Sequence, residues 1–320
     1  MTSQNISLWE KIFVQHRPYL ISFAYRMTGS LTEAEDIVQD TFVACSDVDP
    51  REIQNHKSWL TKICSNKALD HLKLAYKKRE EYTGPWLPDA IPDRLQLWGD
   101  LESETPEAKI LLTESLTTSF LLLVERLSPE ERVIYLLREV FGYSSHDISE
   151  FVGMSDDACR KLAERARKKI IESRPRIKGD MVSAQNVLQQ FFESVKSGDV
   201  AAMKTLLSEN SQLWSDGGGK VSASREILHG PISISEFFKY IADGNVYVGE
   251  DFKAEFQPVN HRPGVVMSRR MPSGFWLTET VMSFEVENGQ IVRIYAQRNP
   301  EKLNSANRRP GSVTVAPLRS

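Results

Sequence analysis

The sequence is poor in the residues that enzymes and secreted domains most often depend on. Three cysteines, Cys45, Cys64 and Cys159, are scattered over 320 residues with no CxxC spacing. That argues against a disulfide framework or a zinc site and fits a reducing compartment. Six histidines are equally dispersed, and no nucleophile or acid–base pair stands at recognisable spacing. His229 and His261 read as hydrogen-bonded structural histidines rather than catalysts. No apolar run approaches membrane-spanning length, and residues 1–13 lack a basic leader region, so a soluble cytoplasmic protein with no membrane partner is expected. Charge of either sign is hardly in excess: 40 Lys and Arg against 43 Asp and Glu leave −3. Any nucleic-acid surface must then be local and offset by acidic segments elsewhere. The length is enough for two or three domains.

What is present is clearest over residues 128–171. Ser128 is a good N-cap, Pro129 fits the first helical position, and Glu131 completes a capping box. Val133, Leu136, Leu137 and Val140 recur at helical spacing before Gly142. A short second helix starts at Ser144–Ser145 and carries Ile148, Phe151 and Val152 on one face. Gly153-Met154-Ser155 is a tight turn, and Ser155 caps a third helix with Asp156 and Asp157 in its first turn. Its expected inner face is Ala158, Leu162, Ala166 and Ile170. Its outer face carries Arg160, Lys161, Arg165, Arg167, Lys168 and Lys169 against the single acid Glu164. A short helix, a glycine turn and a basic helix describe a helix-turn-helix able to read duplex DNA in the major groove. The competing reading is a solvated cationic helix on an ordinary bundle, which three consecutive capped helices disfavour.

Upstream, residues 8–28 form an amphipathic helix that Pro18 should kink or restart. Thr32 is expected to cap a second helix, with Glu35 completing its box, buried at Ala34, Ile37, Val38, Thr41 and Phe42. Glu33, Asp36, Gln39 and Asp40 line its acidic outer side, either solvated or docked on a basic protein. After a loop around Pro50, residues 57–79 form a long helix, apolar at Trp59, Leu60, Ile63, Leu69, Leu72 and Ala75. Its outer face has Lys57, Lys62, Lys67, Lys73, Lys77, Lys78 and Arg79 against Asp70 alone, an imbalance suited to a polyanion. Four prolines break residues 80–107, where Trp86 and Leu87 in a stiff segment cost solubility unless they dock. Residues 110–127 resume as one helix.

Beyond residue 176 the character changes. Helices are expected over 182–196, 200–207 and 236–241, then strands over 252–257, 264–269, 275–286 and 290–298. Asn288-Gly289 joins the last pair as a hairpin. Helices followed by an antiparallel sheet give an α+β domain. The run Asp216-Gly217-Gly218-Gly219-Lys220 is no phosphate loop, lacking the upstream glycine, the Ser/Thr after the lysine and a following helix. It reads as a glycine turn after a strand at 212–215. Residues 304–320 are expected to fray.

The first 175 residues or so resemble bacterial extracytoplasmic-function sigma factors of the sigma-70 family. Residues 34–42 (AEDIVQDTF) are similar to the segment that grips the polymerase clamp, and Trp59-Leu60 through Asp70-His71 to the helix that melts and reads the −10 promoter element. Residues 155–171 are similar to the −35 reading helix. Gly84-Pro85-Trp86-Leu87-Pro88, the Asp216–Lys220 run and Asn299-Pro300-Glu301-Lys302-Leu303 resemble the signatures of a subgroup with a fused C-terminal SnoaL-like domain of cone-shaped α+β fold.

The resemblance implies two all-α sigma domains at 8–79 and 108–175 joined by a linker at 80–107. A SnoaL-like regulatory domain follows at 181–303, then a tail at 304–320. It implies polymerase contacts at Asp36, Gln39 and Asp40, and −10 contacts at Lys62, Asn66, Asp70, His71 and Lys73. It places −35 contacts at Ser155, Arg160, Lys161, Glu164, Arg165 and Lys168. The regulatory contact would join Trp86, Leu87 and Pro88 to Asp216, Gly217, Gly218, Gly219 and Lys220, closed by Asn299, Pro300 and Leu303. The implied partners are RNA polymerase core and promoter DNA, with no separate anti-sigma protein required, no metal or other cofactor, and room for a small-molecule ligand in the C-terminal domain. No catalysis is implied. Two other readings stay open: a ligand-sensing helix-turn-helix repressor or activator, and a bifunctional protein with residual cyclase or isomerase activity. The first predicts operator binding without polymerase; the second needs a polar dyad in the cone, where only Asp216 stands out.

Overall fold

The computed structural model describes residues 3–45, 47–79, 82–98, 106–173, 181–244 and 249–307. The chain divides into two units, residues 1–81 with 96–174, and residues 82–95 with 175–320. The linker is therefore split, and its proline-rich half belongs with the C-terminal unit.

In the first unit, α1 (Ser3–Thr28), α2 (Leu31–Cys45) and α3 (His56–Arg79) pack together. Pro18 does not restart α1. It forfeits one intrahelical bond, and the buried face continues across it from Trp9 and Phe13 to Leu20, Phe23 and Ala24. The cap of α2 is Ser30, not Thr32: Ser30 Oγ accepts from the Glu33 amide at 3.4 Å and its carbonyl from the Ala34 amide at 3.0 Å. Glu35 lies instead 3.8 Å from Arg17.

The single helix expected over 110–127 is two, α4 (Pro106–Glu114) and α5 (Thr118–Val124). The cause is Arg26, 1% exposed, which donates to Ser115 Oγ and to the Leu112 carbonyl, each at 2.7 Å. Those bonds hold the break open, and Thr117 caps the restart by accepting from the Phe120 amide. Burial pulls the Arg26 guanidinium down to about 9, still charged at neutral pH.

Helix α6 (Pro129–Tyr135) runs into a π turn (Leu136–Val140), followed by α7 (Ser145–Val152) and α8 (Asp156–Ser173). The expected Ser128/Glu131 capping box forms, and Ser144, expected as a cap alone, makes a second box with Asp147. Gly153 takes φ +68 at the turn, where a side chain would be strained. The buried stripe of α8 is Cys159, Ala163, Ala166 and Ile170; Ala158 and Leu162 are only half-buried. The stripe is rotated by about one residue from the expected one. Small side chains at 159, 163 and 166 form the close-packing face against the rest of the bundle.

The second unit has α9 (Met181–Ser197), α10 (Val200–Leu206), β1 (Leu207–Asp216), β2 (Leu228–His229) and α11 (Gly230–Asp243). It continues with β3 (Phe252–Phe256), β4 (Gly264–Arg270), β5 (Trp276–Glu287), β6 (Gln290–Gln297) and α12 (Pro300–Leu303). The strand order is β2-β1-β6-β5-β4-β3. The sheet is mixed rather than antiparallel, because β1 pairs with β6 in parallel. Short links force β3 to β6 to alternate in direction, whereas β1 reaches β6 only after a long excursion. Asn288 (φ +50) and Gly289 (φ +76) form the expected hairpin turn.

One sheet face packs Leu213, Phe284 and Ile294 against Leu188, Phe191 and Phe238 of the helices. The other packs Val259, Val266 and Val281 against Ala90, Leu303 and Ala306. Residues 304–307 therefore do not fray: Ser305 and Ala306 are buried, and Asn307 accepts from the Thr278 amide at 3.0 Å. Residues 308–320, the 174–180 boundary, and the side chains of Ala75, Lys77, Lys78 and Arg79 lie outside the described residues.

Candidate functional site

Three surfaces carry the residues singled out by sequence. The first is α2, whose apolar positions turn inward and leave Asp36, Gln39 and Asp40 exposed on one side. Partial burial, followed by the nearby Asp40 charge, raises the Asp36 carboxyl above the usual range.

The second is α3. Lys62 and Asp70 are exposed. His71 Nε2 is 3.3 Å from Glu33 of α2, and Lys73 Nζ is 3.3 Å from Glu130 at the start of α6. Asn66 Nδ2 donates to the Phe151 carbonyl in α7 at 3.0 Å. Close by, Tyr143 Oη lies 3.1 Å from Tyr19 Oη and 3.0 Å from Thr61 Oγ1. Three of the five expected −10 residues thus already have protein partners, two of them in the helices of residues 128–171, the expected reading head for duplex DNA.

The third surface is α8. Ser155 Oγ accepts from the Ala158 amide at 3.3 Å and so acts as the cap. Arg160, Glu164 and Lys168 point outward, as does Lys161, which pairs with Asp157 at 2.8 Å. Arg165 is turned partly inward: its guanidinium lies 3.3 Å from the buried Glu131 carboxylate, which Lys169 also holds at 2.7 Å. Burial works against the Glu131 charge, but Lys169, the Ser128 amide and Arg165 together keep its carboxyl below the usual range. One capping-box residue thereby orients two cations of the basic helix.

In the second unit, the linker closes on the end of β1. Asp216, 0% exposed, accepts from Tyr82 Oη (2.5 Å) and the Gly218 amide (3.0 Å) on one oxygen. Its other oxygen accepts from Lys302 Nζ (2.7 Å), the Leu87 amide (3.0 Å) and Gln297 Nε2 (3.3 Å). Lys302 also donates to the Leu87 carbonyl and stands 4.4 Å above the Trp86 ring and 4.9 Å above that of Tyr82. Such charge-assisted, desolvated bonds are stronger than neutral ones.

Asn299 donates to Tyr82 Oη at 2.9 Å and caps α12, whose first residue is Pro300. A Cβ on Gly218 would collide with the Asn299 side chain, and one on Gly217 with the Val221 carbonyl. Lys220 pairs with Glu301. The deepest linker anchor is Leu87, 1% exposed, with Pro88 buried beside it; Trp86 is only half-buried. Further along, Asn260 accepts from the Ile91 amide (2.7 Å), and His261 contacts Asp93 (3.0 Å).

The sequence reading missed Tyr82, Asp93, Asn260, Gln297 and the role of Lys302. Only the pattern of β6 offered a signal, since Gln297 shares with Arg293 and Tyr295 the sheet face opposite Ile294 and Ala296.

Comparison with known proteins matches residues 12–77 to Sigma-70 region 2 and residues 118–170 to Sigma-70, region 4. The ECF RNA polymerase sigma factor SigJ of Mycobacterium tuberculosis is 32% identical over 222 residues, 69% of each chain. The probable ECF RNA polymerase sigma factor SigI of the same species is 32% identical over 300 residues, covering 90% of this chain and 92% of its own. The crystal structure of M. tuberculosis SigJ superimposes with a TM-score of 0.66 at 24% identity, over 94% of this chain and 98% of that one. That last likeness speaks for the fold: all-α sigma regions followed by an α+β C-terminal domain.

Proposed function

This chain belongs to the extracytoplasmic-function sigma factors of RNA polymerase, and from that premise we propose that its own C-terminal unit sets its activity through the linker. Sigma regions 2 and 4 direct promoter recognition and transcription initiation. In our reading Asp36, Gln39 and Asp40 bind core polymerase. Lys62, Asn66, Asp70, His71 and Lys73 serve the −10 element, and Ser155, Arg160, Lys161, Glu164, Arg165 and Lys168 the −35 element.

The observation that carries the regulatory part is Asp216. A fully buried carboxylate collects donors from the linker (Tyr82, Leu87), its own turn (Gly218) and the elements β6 and α12 (Gln297, Lys302). Leaving any of those groups buried and unpaired costs about 1–3 kcal/mol, more for charged ones, so the contact favours two states, latched and released. A latched linker shortens the chain available between regions 2 and 4 and so constrains how they reach their promoter elements. Regulation of this kind is in cis, and a separate anti-sigma protein is not required for it. Among the described residues no helix is long and apolar enough to cross a membrane; we place the protein in the cytoplasm, where its polymerase is. We assign no catalysis to the C-terminal domain, because Asp216 is committed to the latch and unavailable as a base.

In vitro transcription with core polymerase tests this on the full chain, Leu87→Ala and Asp216→Asn, with limited proteolysis of residues 82–95. Both variants should expose the linker to protease and change transcript yield while region 2 and region 4 stay folded. Wild-type yield together with an exposed linker would rule the latch out as a regulator.

A further inference from the structure

Strand β3 is an outer edge of the sheet, and among the described residues no strand pairs with its far side. Its hydrogen-bonding parity is fixed at both ends: Gln257 donates to the Gly264 carbonyl at 3.1 Å, and Asp251 accepts from the Arg270 amide at 2.8 Å. Odd-numbered residues therefore bond inward to β4, and Ala254, itself exposed, turns its N–H and C=O outward. An open edge of this kind is a template for a further strand. Edges that must stay single are commonly blunted by a proline or a bulge. Residues 252–256 contain no proline, and the β3–β4 register runs without a break.

The sequence of this edge says what can add to it. Read in either direction, Phe252-Lys253-Ala254-Glu255-Phe256 runs aromatic, charged, alanine, oppositely charged, aromatic. An antiparallel second copy centred on Ala254 thus sets Phe252 opposite Phe256 and Lys253 opposite Glu255, each pair occurring twice. Lys253 and Glu255 share one face of the strand, and their side chains are 36% and 48% exposed. They pair with each other along the strand at 2.9 Å. Residues directly opposite across an antiparallel pair stand as close as neighbours along one face, so the same two charges can exchange partners between copies. Sliding the pairing by two residues either way sets Lys253 against Lys253 or Glu255 against Glu255, which is repulsive. Sliding by one turns every side chain to the wrong face. One register satisfies charge and backbone together.

We propose that β3 is a self-association edge: two copies of this chain join through it, antiparallel about a two-fold axis at Ala254, into one continuous sheet. Such an interface is isologous, as a closed two-fold dimer requires. At the axis the two Ala254 residues exchange both backbone hydrogen bonds. The Lys–Glu pairs flank them on one face and the aromatic pairs on the other, each adding cross-strand stabilisation. A ladder this short buries less than a standard interface, so the dimer is weak and forms and dissociates with concentration. Neither the latch nor polymerase is needed for it.

Sedimentation velocity of the full chain from about 1 to 100 μM, where weak associations dissociate, tests this. Wild type should pass from monomer to dimer across that range. Ala254→Pro removes an outward N–H and leaves the β3–β4 ladder intact, and should weaken the dimer about tenfold or more. Lys253→Glu and Glu255→Lys each set like charges opposite one another and should weaken it by a similar factor. Mixing these two variants is the decisive arm. One copy then presents two glutamates and the other two lysines, so the mixture should associate where neither variant does alone. Combining Lys253→Glu with Glu255→Lys in one chain keeps the symmetry and should restore the wild-type dimer. Melting curves identify a variant that folds poorly, and a misfolded chain would not regain association on mixing. A wild type that stays monomeric throughout would overturn the proposal. So would a dimer indifferent to Ala254→Pro and to both charge reversals, or folded charge variants that fail to associate when mixed.

Discussion

Asn66 Nδ2 donates to the carbonyl of Phe151 at 3.0 Å, tying the helix assigned to the −10 element to the second helix of the reading head. Tyr143 reinforces the tie through Tyr19 and Thr61 and packs edge to face on Phe151. Both Asn66 amide protons are engaged, by the Lys62 and Phe151 carbonyls, and so are not available to a base acceptor while these bonds last. If Asn66 donates to a promoter base, as proposed above, one of these bonds must first break; its Oδ1 acceptor is committed by neither.

Tyr143→Phe removes the hydroxyl and keeps the ring, deleting bonds worth about 0.5–1.5 kcal/mol each. The expected result is faster hydrogen exchange in α3 and α7 with the global melt little changed. Equal protection of those helices in variant and wild type would show that the hydroxyl cluster does not hold them together.

Asp36→Ala with Asp40→Ala should weaken capture by core polymerase and leave the reading head folded. The Asp36 carboxyl is raised, so it takes up its proton at a higher pH than an ordinary aspartate as the solution is acidified. Capture by wild type should accordingly decline earlier on acidification than an ordinary carboxylate would dictate, and Asp36→Asn should remove that part of the profile. For stability the sign is opposite, since ionised Asp36 is disfavoured in the fold and the substitution should not destabilise it. A pull-down in which the double variant binds as well as wild type refutes the assignment.

Arg160 is exposed on the outer face of α8. Arg160→Ala should spare polymerase binding and reduce discrimination between −35 sequences by about 1–3 kcal/mol, the worth of a bidentate base contact. Loss of affinity without loss of selectivity would reassign Arg160 to the phosphate backbone.

Glu131 has a lowered carboxyl pKa in the fold. The stability it confers is fully present above the ordinary glutamate value and is lost as pH falls through the folded-state value. Glu131→Gln should destabilise region 4 by about 1–3 kcal/mol near neutrality and flatten the acid limb of its stability curve. Melting curves from neutral pH down through the carboxylate range would show whether the two limbs differ; parallel curves would mean that Lys169 and Arg165 contribute nothing.

Much of this was legible without coordinates, for identifiable reasons. The Ser128/Glu131 capping box, the Ser144 cap, the Gly153 turn and the Asn288-Gly289 hairpin depend on residues a few positions apart, and local geometry settles them; the box expected at Thr32/Glu35 does not form. The acidic side of α2 follows from the period of one helix. The glycine run and the linker motif could be linked through the family resemblance, and the structure brings Leu87, Asp216, Gly218 and Asn299 into one cluster.

Tertiary structure decided what depends on partners far along the chain. Arg26 splits the helix expected over 110–127 because it reaches Ser115 and Leu112, 89 and 86 residues away. The stripe of α8 turned toward Cys159 and Ala163 because the packing partner, not hydrophobicity, selects among small residues. The parallel pairing of β1 with β6 follows from a closure that no local period encodes. In the sequence Asp216 is simply an acid beside three glycines; only the fold supplies Tyr82, Gln297 and Lys302, since a buried charge is defined by the donors that surround it.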